Sequence, residues 1–370
     1  MLAEDFRPVK RHSGRVKMVT MRDVAQASGF SPATVSIVLN DAPLARYIAP
    51  ATKKRIADAA KKLGYRPNAM ARFLRSKRSH SVGVMLFDVT DPFCAPILRG
   101  IENALYQSSY VPIFADAHNQ RSRFEHCLEM LLEHHVEALI VVANWLFVDI
   151  QLLADLSKRN ITVATICWEV PGDTVSSVIV DNKAGGRLAL EHLYHLGHRR
   201  IAFIRGPKML IDSAPRWKGT QKFAHSVGLQ IDPSLVVQLP DVWDPNSGFE
   251  GGYRLTEELL QRKKKFTAVM AFDDVTAMGA IRALTKAGVK VPEQCSVVGF
   301  DDVPLSAMAA PSLTTVRQPM EAMGSLAVTT VLEAINAGLE KRECSISRHK
   351  IAPELVIRDS TRAMLSPADD

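Results

Sequence analysis

A short helical stretch near the amino terminus exposes side chains that could bind a partner. In SPATVSIVL, residues 31–39, the outward face of the helix is formed by Pro32, Ala33, Thr34, Ser36 and Ile37. A helix this short buries too little surface to be stable alone. We therefore expect its exposed side chains to have a binding function. Small polar and apolar groups on such a face can contact base edges in the major groove. We therefore interpret this helix as a DNA-reading element.

The helix at residues 31–39 can be held in place, with this face outward, by a second helix that packs against it across a tight turn. Thr20 is a good N-cap for the first helix, and Asp23 completes a capping box. Gly29 ends that helix because glycine accepts a positive φ, and Ser31 followed by Pro32 starts the next one. The buried faces are predicted at Val24, Ala25, Ser28, Val35, Val38 and Leu39. This is the arrangement of a helix-turn-helix.

An ordinary helical hairpin in a core is the alternative interpretation, and the charge distribution argues against it. Residues 52–63, TKKRIADAAKKL, predict a helix with a basic solvent side that Gly64 ends. Residues 1–80 contain 17 Lys and Arg against 5 Asp and Glu, a net charge of +12. The rest of the 370-residue chain carries 29 against 34, a net charge of −5. The basic end is therefore the expected DNA-binding end.

Other groupings that could do chemistry are interpreted as structural. His192, His195 and His198 have a spacing that a metal could use, but structural histidines are the favoured interpretation. The basic run Arg262–Lys265 is interpreted as a solvated helix end. No G-x-S-x-G motif, Walker lysine or Rossmann fingerprint is present. The five cysteines lack a C-x-x-C pair, which indicates reduced thiols. We predict no enzyme activity, metal or cofactor.

From residue 81 onward, short β-rich runs alternate with amphipathic helical stretches. The pattern begins with SVGVMLFD and PILRGIENALYQSS and starts again at VSSVIVD. Such alternation is typical of a parallel sheet with helices on both faces, and its repetition predicts two lobes with a cleft. No apolar run is expected to approach the roughly 20 residues that cross a bilayer. The amino terminus lacks the apolar region of a signal peptide.

Several motifs together resemble the lactose-repressor (LacI/GalR) family of transcription regulators. They are TMRDVAQASGFSPATVSIVLN, YRPNAMARFLRSKR, SVGVMLFDVTDPF, VDNKAGG, LGHRRIAFI, FDDVTAMGAI, VVGFDDVP, LTTVRQP and PELVIRDST, which cover about residues 20–361. In that family a hinge helix lies in the minor groove and wedges a leucine between base pairs, and Leu74 holds the matching position. The leucine-heptad tail of the tetrameric member is absent, so the resemblance implies a dimer.

The resemblance also implies the domain organisation. A small all-α helix-turn-helix headpiece is expected to precede an α/β two-lobed, periplasmic-binding-protein-like effector domain. The predicted segments are a disordered basic tail at 1–17, the DNA-binding domain at 18–66, the hinge helix and linker at 67–80, the effector-binding and dimerisation domain at 81–361, and a tail at 362–370. We assign about 81–181 and part of 312–345 to the N-lobe, and about 182–311 and 346–361 to the C-lobe.

Twelve residues are expected at the DNA, partly from the helix pattern and partly from the resemblance. They are Thr20, Ser31, Pro32, Ala33, Thr34, Ser36, Ile37, Asn40, Asn68, Ala71, Leu74 and Arg75. Ile37 departs from the polar residue usual late in the recognition helix, which favours contact with a thymine methyl over a guanine contact. The loop NDAPLARYIAPAT is longer than usual, so the family's contacts from that loop are not transferred.

Ligands of two-lobed α/β proteins bind beyond the carboxyl ends of the strands. Matching to the family's effector-contacting positions implies Phe93, Cys94, Trp168, Asp181, Asp212, Arg216, Trp243, Asp273 and Asp301. Carboxylates accept hydrogen bonds from hydroxyls, arginine donates a rigid fork, and tryptophan offers a flat face to a sugar ring. Each residue has a structural alternative: the aromatic rings could be core, Arg216 could be a surface residue, and the aspartates could cap helices or turns.

The sequence thus predicts a cytoplasmic, nucleoid-associated homodimeric repressor that binds pseudo-palindromic double-stranded operator DNA. A carbohydrate is the expected effector, since an acid at Asp212 replaces the polar group of purine-responsive members. The alternatives are a regulator of the same family that responds to a purine or another metabolite, and a sugar-binding transport component. The transport component would need a signal peptide and no basic headpiece. An enzyme on the same fold would need a catalytic constellation that the sequence lacks.

Overall fold

The structure, a computed structural model, describes nine parts of the chain. They are residues 19–40, 42–66, 78–142, 156, 161–170, 172, 175–241, 247–342 and 345–364. Packing divides the chain into two compact units, Met1–Ser79 and His80–Asp370. Five residues predicted to contact DNA or effector lie outside the described residues: Asn68, Ala71, Leu74, Arg75 and Trp243.

The described residues of the first unit form three α-helices. They are α1 at Met21–Ser28, α2 at Pro32–Leu39 and α3 at Pro50–Leu63, with a 3₁₀ turn at Pro43–Tyr47 before α3. Helix α3 begins two residues before its predicted start because Pro50 takes the first helical position, where its missing N–H costs nothing. The helices enclose a small core to which each contributes one fully buried side chain, Val24, Val35 and Ile56.

The predicted caps of the first unit are confirmed. The Thr20 hydroxyl accepts a hydrogen bond from the Asp23 amide at 3.4 Å, and the Asp23 carboxylate accepts one from the Thr20 amide at 2.7 Å. Gly29 closes α1 with φ 76°. Ser31 accepts a hydrogen bond from the Thr34 amide at 3.1 Å and so starts α2. These bonds satisfy amide groups at helix ends that have no partner within the helix.

Two six-stranded sheets form the second unit. The first contains β1 at Ser81–Leu86, β2 at Val111–Asp116, β3 at Ala138–Val142, β4 at Thr162–Ile166, β5 at Ser176–Val180 and β11 at Arg348–Ile351, in the order β11-β5-β4-β3-β1-β2. The second contains β6 at Ile201–Arg205, β7 at Val236–Gln238, β8 at Ala268–Ala271, β9 at Ser296–Asp301, β10 at Thr314–Arg317 and β12 at Glu354–Val356, in the order β12-β10-β9-β8-β6-β7. The β10–β12 pair is antiparallel, and the pairs between the other strands are parallel.

Helices cover these sheets, as the alternating pattern predicted. They are α4 at Cys94–Gln107, α5 at Arg121–Glu133, α6 at Asn182–His195, α7 at Ser213–Ser226, α8 at Ser247–Gln261, α9 at Asp274–Lys286, α10 at Pro304–Met308 and α11 at Met320–Leu339. Strands such as β1 and β3 are buried along their whole length, which explains their continuous apolar sequences. The two-lobed α/β fold is confirmed.

The chain passes between the two sheets three times, and this changes the predicted lobe boundaries. Residues 346–361 were assigned to the C-lobe, but β11 lies in the first sheet, where Arg348 is in register with Ser177 of β5. Within 312–345, only α11 packs on the first sheet, whereas β10 pairs with β9 in the second. Hydrophobic periodicity identifies a strand but not the sheet edge that receives its backbone hydrogen bonds.

Helix α11 corrects a further expectation. By length and composition its 20 residues are enough to cross a membrane, contrary to the expectation that no run approaches this length. In the structure, Met323, Ala327 and Val331 on this helix are fully buried in the core of the first lobe. An apolar helix that packs against α4 and β4 has the same composition as a membrane-spanning one, and here its packing explains it.

Candidate functional site

The exposed face of α2 is the candidate DNA-reading surface. Pro32 and Ala33 are exposed, whereas Ile37 is half-buried. The polar groups at the helix ends already have partners within the unit. The Ser31 and Thr34 hydroxyls lie 2.9 Å apart, and the Asn40 side-chain amide donates to the carbonyl of Ser36 at 2.7 Å and to its hydroxyl at 3.2 Å.

Thr20 is also engaged before any contact with DNA. Its hydroxyl donates to the Asp23 carboxylate at 2.7 Å. The middle of the face therefore offers mainly the apolar groups of Ala33 and Ile37, while the ends are held in place by their own hydrogen bonds. Exposed basic side chains follow on α3: Lys54, Arg55, Lys61 and Lys62. They suit the phosphates that flank a groove.

The candidate effector site lies at the carboxyl ends of strands from both sheets. Val303, which follows β9 of the second lobe, is 2% exposed and belongs to the core cluster of the first lobe. Ile211 of the second lobe packs against the other first-lobe cluster. Near the Cys167 thiol, at the end of β4, lie Cys94 and Asp212, two of the predicted effector residues. Residues of the two lobes therefore meet at this candidate site, which we call the cleft.

Arg216 is the most constrained side chain of this site. It is 5% exposed, so it is not a surface residue. Its Nε and one terminal nitrogen donate to Asn182 Oδ1 at 3.1 and 3.0 Å, and its other terminal nitrogen donates to the Phe272 carbonyl at 2.5 Å. The guanidinium carbon lies 3.5 Å from the centre of the Phe300 ring. Hydrogen bonds and aromatic stacking together fix the plane of the fork.

Asp212 and Asn182 extend this arrangement. Asn182 donates from Nδ2 to the Asp212 carboxylate at 2.7 Å while its oxygen accepts from Arg216. Asn182 thus separates the guanidinium from the carboxylate and orients both. Burial raises the pKa of Asp212 above its usual range, and the Arg216 charge and the Asn182 hydrogen bond offset this only in part.

Asp301 is held in a strained backbone at the end of β9. Its φ is 115° and that of Asp302 is 62°, both unusual for residues other than glycine. Gln318 donates to the Asp301 carboxylate at 2.6 Å, and Arg317 and Arg358 each contact Asp302 at 2.6 Å. Burial raises the pKa of Asp301 well above its usual range. The surrounding bonds hold this turn and keep the Asp301 carboxyl buried beside Gln318.

Asp274 positions the same turn, and the sequence did not single it out. It is fully buried and accepts hydrogen bonds from the Val303 amide at 2.9 Å, the Ser306 hydroxyl at 2.6 Å and the Thr315 hydroxyl. Burial raises its pKa to about 7 despite these bonds. Gly299 makes room for it, because a Cβ there would lie 2.3 Å from an Asp274 oxygen. Only the packing of distant segments reveals this role.

Asp91 is a second cleft residue that sequence reasoning missed. It accepts the Phe93 amide at 2.9 Å. Burial raises its pKa to about 7, the bond from Phe93 opposes this, and the nearby charges of Asp273 and Asp88 raise it further. Its position two residues before Phe93 was a usable signal. Cys94 beside it is fully buried, and burial raises the pKa of its thiol well above the usual value.

Four predicted effector residues cap helices or pack against the core. Asp181 caps α6 and pairs with Lys350 at 2.9 Å; partial burial would raise its pKa, but the bonds from Lys350 and the helix end lower it. Asp273 caps α9 by accepting the Thr276 amide at 2.7 Å. Trp168 is 9% exposed within a first-lobe core cluster. Phe93 is half-buried against the other cluster.

The histidine cluster has structural partners. His198 is 2% exposed, and its ring nitrogens lie 2.9 Å from the Thr267 hydroxyl and 3.0 Å from the Ser296 hydroxyl. His192 Nε2 lies 3.0 Å from the Thr361 hydroxyl. Burial lowers the pKa of both rings. These contacts attach the last described segment to the second lobe.

Comparison with known proteins decides the family. Residues 20–68 match bacterial regulatory proteins of the lacI family, and residues 190–361 match the periplasmic binding protein-like domain. The HTH-type transcriptional repressor PurR of Haemophilus influenzae (strain PittEE) is 33% identical over 351 residues, covering 94% of this chain and 100% of that protein. The chain belongs to the lacI family of bacterial regulatory proteins.

Other members share the organisation of this lacI-family chain. The PurR repressor of Aliivibrio salmonicida is 30% identical, over 94% of this chain and 100% of its own. The lac repressor dimer bound to operator and the anti-inducer ONPF has a TM-score of 0.79 at 26% identity, over 94% of this chain and 100% of its own. The CelR–cellobiose complex has a TM-score of 0.67 at 28% identity, over 92% and 99%. This lacI-family member is a DNA-binding transcriptional repressor with a small-molecule effector domain, and not an enzyme.

Proposed function

We propose that the effector of this repressor is a small neutral molecule rich in hydroxyl groups, a carbohydrate, bound between the two lobes. The observation that supports this most is the ratio of carboxyl groups to cations in the cleft. Burial raises the pKa values of Asp91, Asp212 and Asp301, and the Arg216 charge opposes this rise at Asp212 and Asp301. Among the described residues of the cleft, an anionic ligand would find one arginine, whose guanidinium already donates to Asn182 and to the Phe272 carbonyl, so its charge would be poorly compensated.

The hydroxyl groups of a sugar suit the hydrogen-bonding capacity of the carboxyl groups in this cleft. A carboxyl group whose pKa lies near 7, such as Asp91, can donate or accept a hydrogen bond, and a sugar hydroxyl can do both as well. Asp301 and Asp212 lie on the second lobe, and Asp91 and Phe93 on the first. A ligand that bonds to both sets stabilises the closed arrangement of the lobes.

Control of DNA binding follows from that closure. We propose that the repressor acts as a cytoplasmic homodimer on a pseudo-palindromic operator, with Ala33, Thr34 and Ile37 of α2 at the base edges. Closure of the lobes biases the spacing of the two hinge segments in the dimer, and Leu74 in that segment wedges into the minor groove.

A purine is the second candidate effector, and the names of the relatives favour it. The Haemophilus influenzae relative is a PurR repressor at 33% identity, whereas the sugar complex CelR–cellobiose is 28% identical. A purine could lie against Phe93 and donate its ring N–H groups to Asp212 or Asp301. The carboxyl-rich cleft is compatible with such a ligand, so a direct measurement must decide.

Calorimetric titration of the full protein against a matched panel distinguishes the two. The panel contains neutral mono- and disaccharides, purine bases, and sugar phosphates. We expect binding of one or more neutral sugars and none of the sugar phosphates. Binding confined to purines would replace the carbohydrate by the second candidate, and binding confined to phosphorylated compounds would contradict both.

The hinge proposal is tested separately with Leu74→Ala. Loss of the wedge should weaken binding to operator by about 1–3 kcal/mol and leave binding to random DNA almost unchanged. Competition binding with operator and random duplexes of equal length measures both. Equal losses on the two duplexes would contradict the wedge.

A further inference from the structure

A basic hollow lies in the second lobe at the opposite end of β6 from the effector cleft. Three chain segments form it: the start of β6, the loop after α7 and the loop after α8. Its volume is about 350 Å³, within the range of pockets that bind small molecules. The residues that matter to the argument are Arg199, Arg200, Asp232, Lys263, Lys264 and Lys265. We refer to them as the basic hollow.

The charge of the hollow contrasts with the rest of its unit. Five cations surround a single carboxylate, although residues 81–370 carry a net charge of −5. The Asp232 carboxylate has two partners: it lies 3.4 Å from the Lys264 ammonium and accepts a hydrogen bond from the Ser234 amide at 2.8 Å. Lys263 and Lys265 form no ion pair with any residue that the structure describes. The local field is therefore strongly positive.

A solvated helix end accounts for only part of this cluster. Cations are favoured near the carboxyl end of α8, which explains Lys263. It does not explain Arg199 and Arg200, which come from the start of β6. Arg199 is fixed there, since it donates to the Tyr194 carbonyl at 2.7 Å and its guanidinium carbon lies 3.7 Å from the centre of the Tyr194 ring.

We propose that the basic hollow binds a small phosphate-bearing anion with at least two negative charges. Lysine ammonium groups and an arginine fork are the groups that recognise phosphate oxygens. The apolar floor of Ile201, Phe203 and Leu235 leaves room for an organic part of the ligand. A concave site of this size suits a compact anion, whereas an extended nucleic acid would need a longer basic track.

Inorganic pyrophosphate is a suitable probe, titrated calorimetrically into the full protein at constant ionic strength. The triple variant Lys263→Gln, Lys264→Gln, Lys265→Gln removes three cations from the hollow. Each exposed charge pair contributes roughly a two- to fivefold factor to affinity, so the variant should bind about tenfold more weakly or worse. The matched control is Lys218→Gln, Lys222→Gln, Lys290→Gln, which removes the same charge from exposed positions on the same lobe and should stay within about twofold.

Two further measurements locate the binding, because the basic headpiece also attracts anions. Lysine-specific chemical labelling read by mass spectrometry should show that pyrophosphate protects Lys263, Lys264 and Lys265 but not Lys218. Asp232→Asn keeps the hydrogen bond to Ser234 and removes the competing charge, so it should tighten binding. Equal losses in the two triple variants, or equal protection of all four lysines, would overturn the proposal. Thermal unfolding of each variant confirms that its fold is intact.

Discussion

The two units of this repressor hold their functional side chains in opposite ways. On α2 the groups that face outward are kept in place by bonds within three or four residues, such as Ser31 to Thr34. In the cleft, Arg216 bonds to Asn182, 34 residues away, and Asp274 bonds to Ser306, 32 residues away. We therefore expect that single side chains of the candidate DNA-reading surface can be substituted without disturbing their neighbours. A substitution in the candidate effector cleft should affect stability and ligand binding together.

The two units also differ in the charge that they present to a binding partner. Residues 1–80, which include the basic tail, headpiece and hinge, carry a net charge of +12, which attracts any polyanion. The cleft raises the pKa values of its carboxyl groups by burying them, which lowers the charge that a ligand meets. One site depends on long-range charge and the other on short hydrogen bonds, and four experiments test this contrast.

The largest expected effect is that of salt on operator binding. Raising salt from about 50 to about 200 mM should lower operator affinity by about 10³-fold or more, because cations are released from DNA phosphates on binding. Affinity for a neutral effector should change by less than about twofold over the same range. Fluorescence anisotropy with labelled operator and calorimetry with effector measure the two. Equal losses of operator affinity and effector affinity would contradict this difference between the two sites.

Arg216→Ala should show the coupling of stability and function in the cleft. It leaves Asn182 Oδ1 and the buried Phe272 carbonyl without their donor, so the free energy of unfolding should fall by about 2–4 kcal/mol. The response of operator binding to effector should be lost, while operator affinity without effector stays within about twofold. Arg187→Ala removes an exposed arginine from α6 as the control and should cost less than about 0.5 kcal/mol. A stable Arg216→Ala protein that still responds would refute this role.

Asp91→Asn should change how stability depends on pH. Asp91 has a folded pKa of about 7, above the value of about 4 expected in the unfolded chain. Its stabilising contribution is complete below pH 4 and is lost as pH rises towards 7, because only the folded state retains the proton. Between pH 4.5 and pH 7.5, the free energy of unfolding of the variant should therefore fall by about 1–3 kcal/mol less than that of the wild type. Urea unfolding at both values measures this, and identical slopes would show that Asp91 is ionised normally.

Thr20→Ala should have the smallest effect, confined to the headpiece. It removes the hydroxyl that accepts the Asp23 amide, at a cost of about 1 kcal/mol. Amide hydrogen exchange along α1 should rise about fivefold, while exchange in β1 stays unchanged because the caps act locally. Gln26→Ala, at an exposed position of α1, is the control. Faster exchange throughout the second unit would contradict the separation of the two units.

The sequence by itself determined the features that depend on neighbouring residues. The capping box at Thr20 and Asp23, the turn at Gly29 and the start of α2 at Ser31 were predictable because their hydrogen bonds span three or four residues. The two-lobed α/β fold was predictable because the alternation of strands and helices is written in local periodicity. The choice of Arg216 came from resemblance and not from any local pattern.

Only the tertiary structure decided the rest. It placed β11 in the first sheet, brought the Arg216 guanidinium against two phenylalanine rings, and made Trp168 part of a core. It also brought Asp274 to the cleft region, which no motif indicated, and it buried Asp91, for which the closeness to Phe93 was a signal in the sequence. The burial and partners of a side chain depend on segments tens to hundreds of residues away, and periodicity carries no information about which distant segments meet.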